Sequence, residues 1–449
     1  MSLVNPLFII LVYLVIGFQF AALTPAWQAP DEPAHYNYIR QIAQTGRLPK
    51  LEPGDYDQPY LERLTGEGFP PGLSVDSLEY QDYQPPLYYV LLTPVFLVFD
   101  GALLPLRLAS LVLGAGVIVF AFLAVREVVG GRTSLPLLAA GFIAFIPQFI
   151  AIMASVNNDS LSLLILSLGL WLTLREVAQK KSGRWNFNLE SLILGLVLGL
   201  TFITKVWAYL LAPVLLTRLL LRWRREGRFP LKQALIIFIP ALLIGSLYWG
   251  RNWFVCGPAD VVCGNWHNQV VVGQPTTPDW IEAHGWWGNE ASLLNRFFTF
   301  TFDSFWGVFG WMGVFMDKRV YGVLLIFSIG LVVGGIGAMR RWPALTAAQQ
   351  QGVGLLTFSG LVTLLLYLYY NLSFVQHQGR YLFPALIPIG LGAAAGLWQW
   401  AGWGATLIQR LPYVSRFTPQ ARIILAFAPI VMMAALCLVA LYRFVLPAL

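Results

Sequence analysis

The 449-residue chain is predicted to be an all-α polytopic membrane protein, on three observations: 57% of its residues are hydrophobic, only 11% are charged, and apolar runs of about 20 residues recur from one end to the other. No water-soluble fold hides that much apolar surface. Length alone would suggest about three soluble domains, but the continuous recurrence of apolar runs predicts one membrane unit over 1–449.

Eleven spanning helices are expected. The first, 4–23, reads "VNPLFIILVYLVIGFQFAAL"; it lacks a basic n-region and a small-residue cleavage site, so it is read as a retained span and not a removed signal peptide. The others are 104–125, 134–153, 160–178, 189–204, 206–222, 232–249, 320–338, 351–371, 381–402 and 423–445. With a cytoplasmic N-terminus, the inner loops become 126–133, 179–188, 223–231, 339–350 and 403–422. With their flanks these collect Arg126, Arg132, Arg175, Lys180, Lys181, Arg184, Arg218, Arg222, Arg224, Arg225, Arg228, Lys232, Arg340, Arg341, Arg410, Arg416 and Arg422. Only Glu127, Glu176, Glu190 and Glu226 oppose them, so every short basic loop falls on one side. The net charge of +7 is therefore a signal of topology, and nucleic-acid binding is excluded.

Two large outer segments result, 24–103 and 250–319. Within them "QPPLYYVLLTPVFLVF" (84–99) is short and carries Pro85, Pro86 and Pro94, and is expected to lie in the interface. The stretch "RFFTFTFDSFWGVFGWMGVF" (296–315), with Asp303, is expected to be interfacial or re-entrant. Residues 50–82, acidic and rich in Pro and Gly, suit an ordered loop or lid. Cys256 and Cys263, with six residues between them, are either bridged in an oxidising compartment or two unpaired thiols. No cysteine spacing resembles a zinc site, and no internal repeat of the kind seen in secondary transporters is apparent.

The chemistry-bearing stretch is "QAPDEPAHYNYIRQIAQTGRLP" (28–49). Asp31 and Glu32 follow the first span by about eight residues, which places them at the outer headgroup layer, within reach of a lipid-borne substrate. Pro30 and Pro33 stiffen the approach to a helix that begins near Ala34, carries His35, and ends by Gly46 and Pro49. By composition alone the favoured role of Asp31 is the cap of that helix, its carboxylate on free backbone N–H groups. At the next outer turn, "SVNNDSL" (155–161), Asn158 and Asp159 are either site residues or ordinary caps. Asp31 and Asp159 together offer oxygen ligands to a divalent cation, although no spacing establishes one. Lys205, Arg251 and Arg380 fall at the depth of a lipid phosphate, where basic residues also snorkel without a function. Arg380 is the best placed of these, since Gln376, His377 and Gln378 make an unusually polar lead-in to a span and an Arg fork suits phosphate oxygens. Trp286, Trp287, Trp306 and Trp311 are sugar-stacking candidates or members of an aromatic belt.

The motifs "PDEPAHYNYI", "QPPLYY", "SVNNDSL", "FWGVFGW" and "QGRYLFP", in this order along nearly the whole chain, resemble the GT-C superfamily of membrane glycosyltransferases. Within it they are most similar to a bacterial branch related to the protein O-mannosyltransferases and the aminoarabinose transferase acting on lipid A. The resemblance implies a GT-C fold with interfacial helices in the first outer loop, and a polyprenyl-phosphate-linked sugar as donor. It also implies a catalytic acidic residue at Asp31, acting as general base, with Glu32 completing an acidic pair, and a second acidic residue at Asp159. Donor phosphate would meet Arg380, Lys205 or Arg251, while His35, Asn158, His377 and Trp306 are candidate contacts for sugar or acceptor. One departure stands out: the lipid A transferases carry a Lys just before the Pro-Pro pair, where this chain has Gln84. No large soluble C-terminal domain is expected. The implied setting is a bacterial inner membrane with the site on its outer face, and an acceptor that is a glycan, a lipid or a protein. The rival reading is a polytopic transporter or lipid flippase, which should place paired ionisable groups at the bilayer midplane instead of at its edge.

Overall fold

The computed structural model describes residues 5–130, 133–179, 187–340, 342–409 and 418–449. The described residues are predominantly helical. In order come α1 (Pro6–Leu23), α2 (Glu32–Thr45), α3 (Gln58–Gly66), α4 (Leu87–Val98), α5 (Leu103–Val129), α6 (Leu135–Ala144), α7 (Pro147–Met153), α8 (Asp159–Gln179) and α9 (Phe187–Phe202). A 3₁₀ turn, Val206–Leu210, leads to α10 (Leu211–Glu226), followed by α11 (Leu231–Val255), α12 (Gly264–Val270), α13 (Thr277–His284) and α14 (Leu293–Trp306). A two-residue hairpin, β1 (Val308–Phe309) with β2 (Val314–Phe315), precedes α15 (Lys318–Met339), α16 (Ala347–Tyr370), a 3₁₀ turn Gly379–Ala385, α17 (Leu386–Gln409) and α18 (Thr418–Val439).

Each of the eleven expected spans falls on a helix. Among the described residues nine helical segments are long and apolar enough to cross a membrane. The tenth candidate, 134–153, is broken: α6 and α7 meet at 65° around Phe145 and Ile146, because Pro147 disfavours helix in the residue before it. The eleventh, α9, is a shorter apolar helix. Residues 84–99 form the short α4, and 296–315 split between α14 and the hairpin, so neither makes a full span. Of the inner-loop cations, Arg132, Lys180, Lys181, Arg184, Arg341, Arg410 and Arg416 lie outside the described residues.

Helix pairs close where small residues let backbones meet, as expected where lipid supplies no hydrophobic drive between helices. In α15 and α17, Gly334 and Gly396 lie so close that a Cβ on Gly396 would stand 2.4 Å from the Leu331 carbonyl oxygen. Residues 50–82, expected to be an ordered loop or lid, are indeed ordered: Leu51, Leu61, Leu64, Leu78 and Tyr80 build a small second core with Val270 and Val271 of the other large segment. Cys256 and Cys263 are joined in a disulfide with Cα atoms 5.4 Å apart, which settles the choice the sequence left open.

One buried ion pair knots the elements that carry the candidate site. Arg107 enters near the start of α5, and its Nε and Nη2 donate to the two carboxylate oxygens of Glu32 at 2.8 and 2.6 Å. Its remaining N–H groups reach the carbonyls of Ala21, Thr24 and Pro25 at the end of α1. Glu32 also accepts from the backbone N–H of Trp27 and of Val156, the latter in the turn before α8. The two side chains are 0% and 4% exposed, and this full satisfaction is what makes so buried a pair tolerable.

Two substitutions test this frame. Arg107→Ala leaves the Glu32 carboxylate buried without its counterion and is expected to cost about 3–5 kcal/mol; the thermal unfolding of detergent-purified protein reports it. Gly379→Ala places a Cβ 2.3 Å from both the Thr301 carbonyl oxygen and the Phe305 nitrogen, backbone that cannot yield easily. It should lower stability by about 1–3 kcal/mol by overpacking, and an unchanged melting temperature would contradict the tight seat assigned to this turn.

Candidate active site

Asp31 stands at the N-terminus of α2 with φ 67° and ψ −5°, a left-handed conformation that non-glycine residues seldom adopt. Its side chain makes no capping bond to the helix, which disposes of the capping alternative. The carboxylate turns instead to two partners: Oδ2 accepts from Arg380 Nη2 at 2.8 Å and Oδ1 from the Tyr80 hydroxyl at 3.0 Å. Burial alone would raise its pKa. The Arg380 guanidinium and the hydrogen bonds from Arg380 and Tyr80 outweigh that and hold the carboxyl below the usual aspartate range.

A second ion pair lies in the same cavity. Lys205 follows the break between α9 and the Val206–Leu210 turn, and its Nζ donates to Asp159 Oδ1 at 2.7 Å and to Asn158 Oδ1 at 2.8 Å. Asn157, not Asp159, caps the local turn, accepting from the Asp159 N–H at 2.9 Å. The Asp159 carboxylate is thereby left for Lys205. His35 meets the Tyr89 hydroxyl through Nδ1 at 2.8 Å, and burial pushes its pKa down to about 3, so the ring is neutral. Asp31, His35, Asp159, Lys205 and Arg380 all wall one cavity of about 710 Å³. Tyr80, Trp207 and Tyr381 add aromatic faces, and Gln84, Gln376 and Gln378 add neutral polar ends.

Other sequence-derived candidates stand elsewhere. Glu32 is fully buried in the knot with Arg107, so it does not complete an acidic pair within the cavity. Arg251 donates to the Pro49 carbonyl and to Asn252 Oδ1, fastening the second large segment to the first; it does not wall the cavity. Trp306 is buried edge-on to Phe142 and walls a different, apolar cavity of about 550 Å³. His377 is buried edge-on to Phe297, and neither ring nitrogen has a hydrogen-bond partner; its neighbours Gln376 and Gln378 reach the cavity in its place. Asn158 stands one layer back, holding Lys205 and touching Tyr89 and Gln84. Trp311 does wall the cavity, stacked on Phe69, whereas Trp286 and Trp287 are exposed.

Two partners escaped the sequence reading. Arg107 carried a usable signal, a single charge near the start of an apolar run, which requires a buried partner. Tyr80 carried none, since one tyrosine in a loop rich in them points nowhere until the loop folds. Asp31 and Asp159, proposed as metal ligands, each face a protein cation. Among the described residues three acidic groups with ligand spacing come together elsewhere, at Asp55, Glu79 and Asp82.

Residues 83–249 match the family described as dolichyl-phosphate-mannose-protein mannosyltransferase. No curated protein matches the chain by sequence. Among solved structures, ArnT from Cupriavidus metallidurans bound to undecaprenyl phosphate aligns over 98% of this chain and 73% of its own, at 14% identity and a TM-score of 0.51. The oligosaccharyltransferase of Archaeoglobus fulgidus aligns over 97% of this chain and 56% of its own, at 13% identity and a TM-score of 0.52. With this helix order and these likenesses along almost its whole length, the chain has the GT-C fold of membrane glycosyltransferases, and its likeness to the mannosyltransferase family runs from the cavity wall at Tyr83 to the end of the seventh expected span.

Proposed function

We propose that the protein transfers a sugar from a polyprenyl-phosphate-linked donor to an acceptor hydroxyl at the outer face of a bacterial inner membrane, with inversion and with Asp31 as general base. The observation that carries the reading is a single cavity in which two carboxylates are paired, Asp31 with a guanidinium and Asp159 with an ammonium, close to apolar space. The Gly379–Ala385 turn links the two environments: Arg380 and Tyr381 wall the polar cavity, and Leu382 walls the apolar one between α14, α15 and α17. A charged donor head and an apolar prenyl tail suit these neighbouring spaces. The 14%-identical ArnT was solved with undecaprenyl phosphate, a ligand of this type.

In this mechanism Asp31 takes the proton of the acceptor hydroxyl as that oxygen bonds to the anomeric carbon. The bond from that carbon to phosphate breaks, and polyprenyl phosphate leaves with its electron pair. Arg380 and Lys205 meet the charge that develops on the leaving oxygen. Lys205 supplies the cation that the lipid A transferases carry beside their Pro-Pro pair, where this chain has Gln84. Arg380 is paired with Asp31; a donor phosphate competes for that guanidinium and returns basicity to the carboxylate. Neutral His35 is suited to a hydrogen bond with a sugar or acceptor hydroxyl. Asp31 and Asp159 each face a protein cation, so no step is assigned to a metal there. Glu32 has a positioning role, holding α2 so that Asp31 faces Arg380.

Asp31→Asn should lower kcat by about 10²–10⁴ in a protein that still folds, while donor binding is undiminished, since Arg380 no longer faces a competing carboxylate. Full turnover in that variant would reject the base assignment. Mass spectrometry of lipid co-purified with the wild-type protein identifies the donor directly. The pH profile follows from the sign of the Asp31 shift. Its free-enzyme pKa lies below the ordinary 3.8, so the pair with Arg380 is complete above that value and is lost as pH falls through the lowered one. The acid limb of kcat/KM should therefore lie below pH 3.8. That of kcat should lie higher, because bound phosphate shares Arg380, and a common limb near the ordinary histidine value would contradict this assignment.

A further inference from the structure

The first large segment carries a second group of ionisable side chains that the transfer chemistry does not use. Asp55, in the turn before α3, and Glu79 and Asp82, in the turn before the Pro-Pro pair, each offer a carboxylate oxygen, and these oxygens lie within 4.8 Å of one another. The two turns are already tied by backbone: the Glu79 N–H donates to the Asp55 carbonyl at 3.1 Å and the Asp82 N–H to the Glu79 carbonyl at 3.0 Å.

Protein groups balance this negative charge poorly. Arg40 comes within 3.9 Å of Glu79 but is primarily bonded to Asp76. A second observation concerns Asp82 itself, which is 1% exposed: Gln41 donates to Oδ2 at 2.7 Å, and Oδ1 is buried without any hydrogen-bond partner. An unpartnered carboxylate oxygen at that burial is costly unless something else supplies the missing positive contact. Oxygens within 4.8 Å of one another can share one cation, and Ca²⁺, whose all-oxygen shell is flexible in number and geometry, accepts such a set from two turns more readily than Mg²⁺, which demands a near-ideal octahedron.

We propose that Asp55, Glu79 and Asp82 form a Ca²⁺-type divalent-cation site that clamps the 52–55 turn to the 79–82 turn and so holds Tyr80, which lies between two of the ligands, against Asp31. Backbone carbonyls and water would complete the shell. Because Tyr83 and Gln84 directly follow the clamped turn and wall the cavity, the cation acts as a positioning element for one side of the candidate site without touching the reacting atoms.

The test uses the full-length protein in detergent, stripped with chelator and titrated with CaCl₂ or MgCl₂. Calorimetry should show saturable Ca²⁺ binding with a dissociation constant on the order of 10⁻⁴–10⁻³ M, Mg²⁺ binding more weakly. Ca²⁺ should raise the melting temperature and slow hydrogen exchange of backbone amides over residues 74–84. Asp82→Asn and Glu79→Gln, two independent and nearly isosteric changes, should each weaken binding at least about tenfold. The absence of saturable binding by the wild-type protein up to 10-fold above that range, or unchanged Ca²⁺ affinity in both variants, overturns the proposal. None of these readouts uses glycosyl transfer, so the outcome stands apart from that of the Asp31 test.

Discussion

The ion pair between Glu32 and Arg107 is the constraint on which the architecture of the site rests. A guanidinium that takes three backbone carbonyls at the end of α1 and both oxygens of Glu32 fixes how the chain leaves its first helix. The same carboxylate accepts the Val156 N–H and so ties down the turn that delivers Asn158 and Asp159. Asp31, one residue from this knot, has little freedom left, and its left-handed backbone is held there by interactions made on either side of it. Burying a charge pair so completely is worthwhile only because every strong donor and acceptor in it finds a partner.

From that anchor the site is assembled by breaks in helices. Asp31 precedes α2, Asp159 opens α8, Lys205 follows α9, and Arg380 lies in the 3₁₀ turn ahead of α17. Helix interiors satisfy their own backbone and present side chains to lipid or to neighbouring helices. Only at their ends can several charged groups converge on one water-filled space without crossing hydrocarbon. Opposite charges then meet pairwise, Asp31 with Arg380 and Asp159 with Lys205, which keeps this set of four groups close to electroneutral.

The first and second large segments act as a cover. Their shared small core, the Arg251 contact to the Pro49 carbonyl, and the Trp311 indole donating to the Trp27 carbonyl at 2.8 Å fasten them to each other and to the base of α2. The disulfide closes the short loop that precedes α12, whose Asn265, His267 and Asn268 reach the cavity. The polar cavity is thus walled largely by loops stiffened by long-range contacts, and the apolar cavity by the helices beneath them.

Much of this was legible in the sequence. Apolar period and length exposed the spans, although the break of 134–153 ahead of Pro147 was not foreseen, and the placement of "PDEP", "NNDS" and "QGR" at helix ends brought Asp31, Asp159 and Arg380 to one side, because hydropathy dictates where a membrane chain turns. What the sequence could not decide was which way adjacent side chains face. Asp31 and Glu32 are neighbours with the same charge, yet one looks into the cavity and the other into the protein, a choice made by a single left-handed residue and by an arginine 75 positions away. The same holds for Arg251, His377 and Trp306, whose depth was readable but whose partners were not. Periodicity and hydropathy are local properties that a linear chain carries with it; the pairing of charges across distant loops exists only once the helices have packed, and there the tertiary structure alone decided.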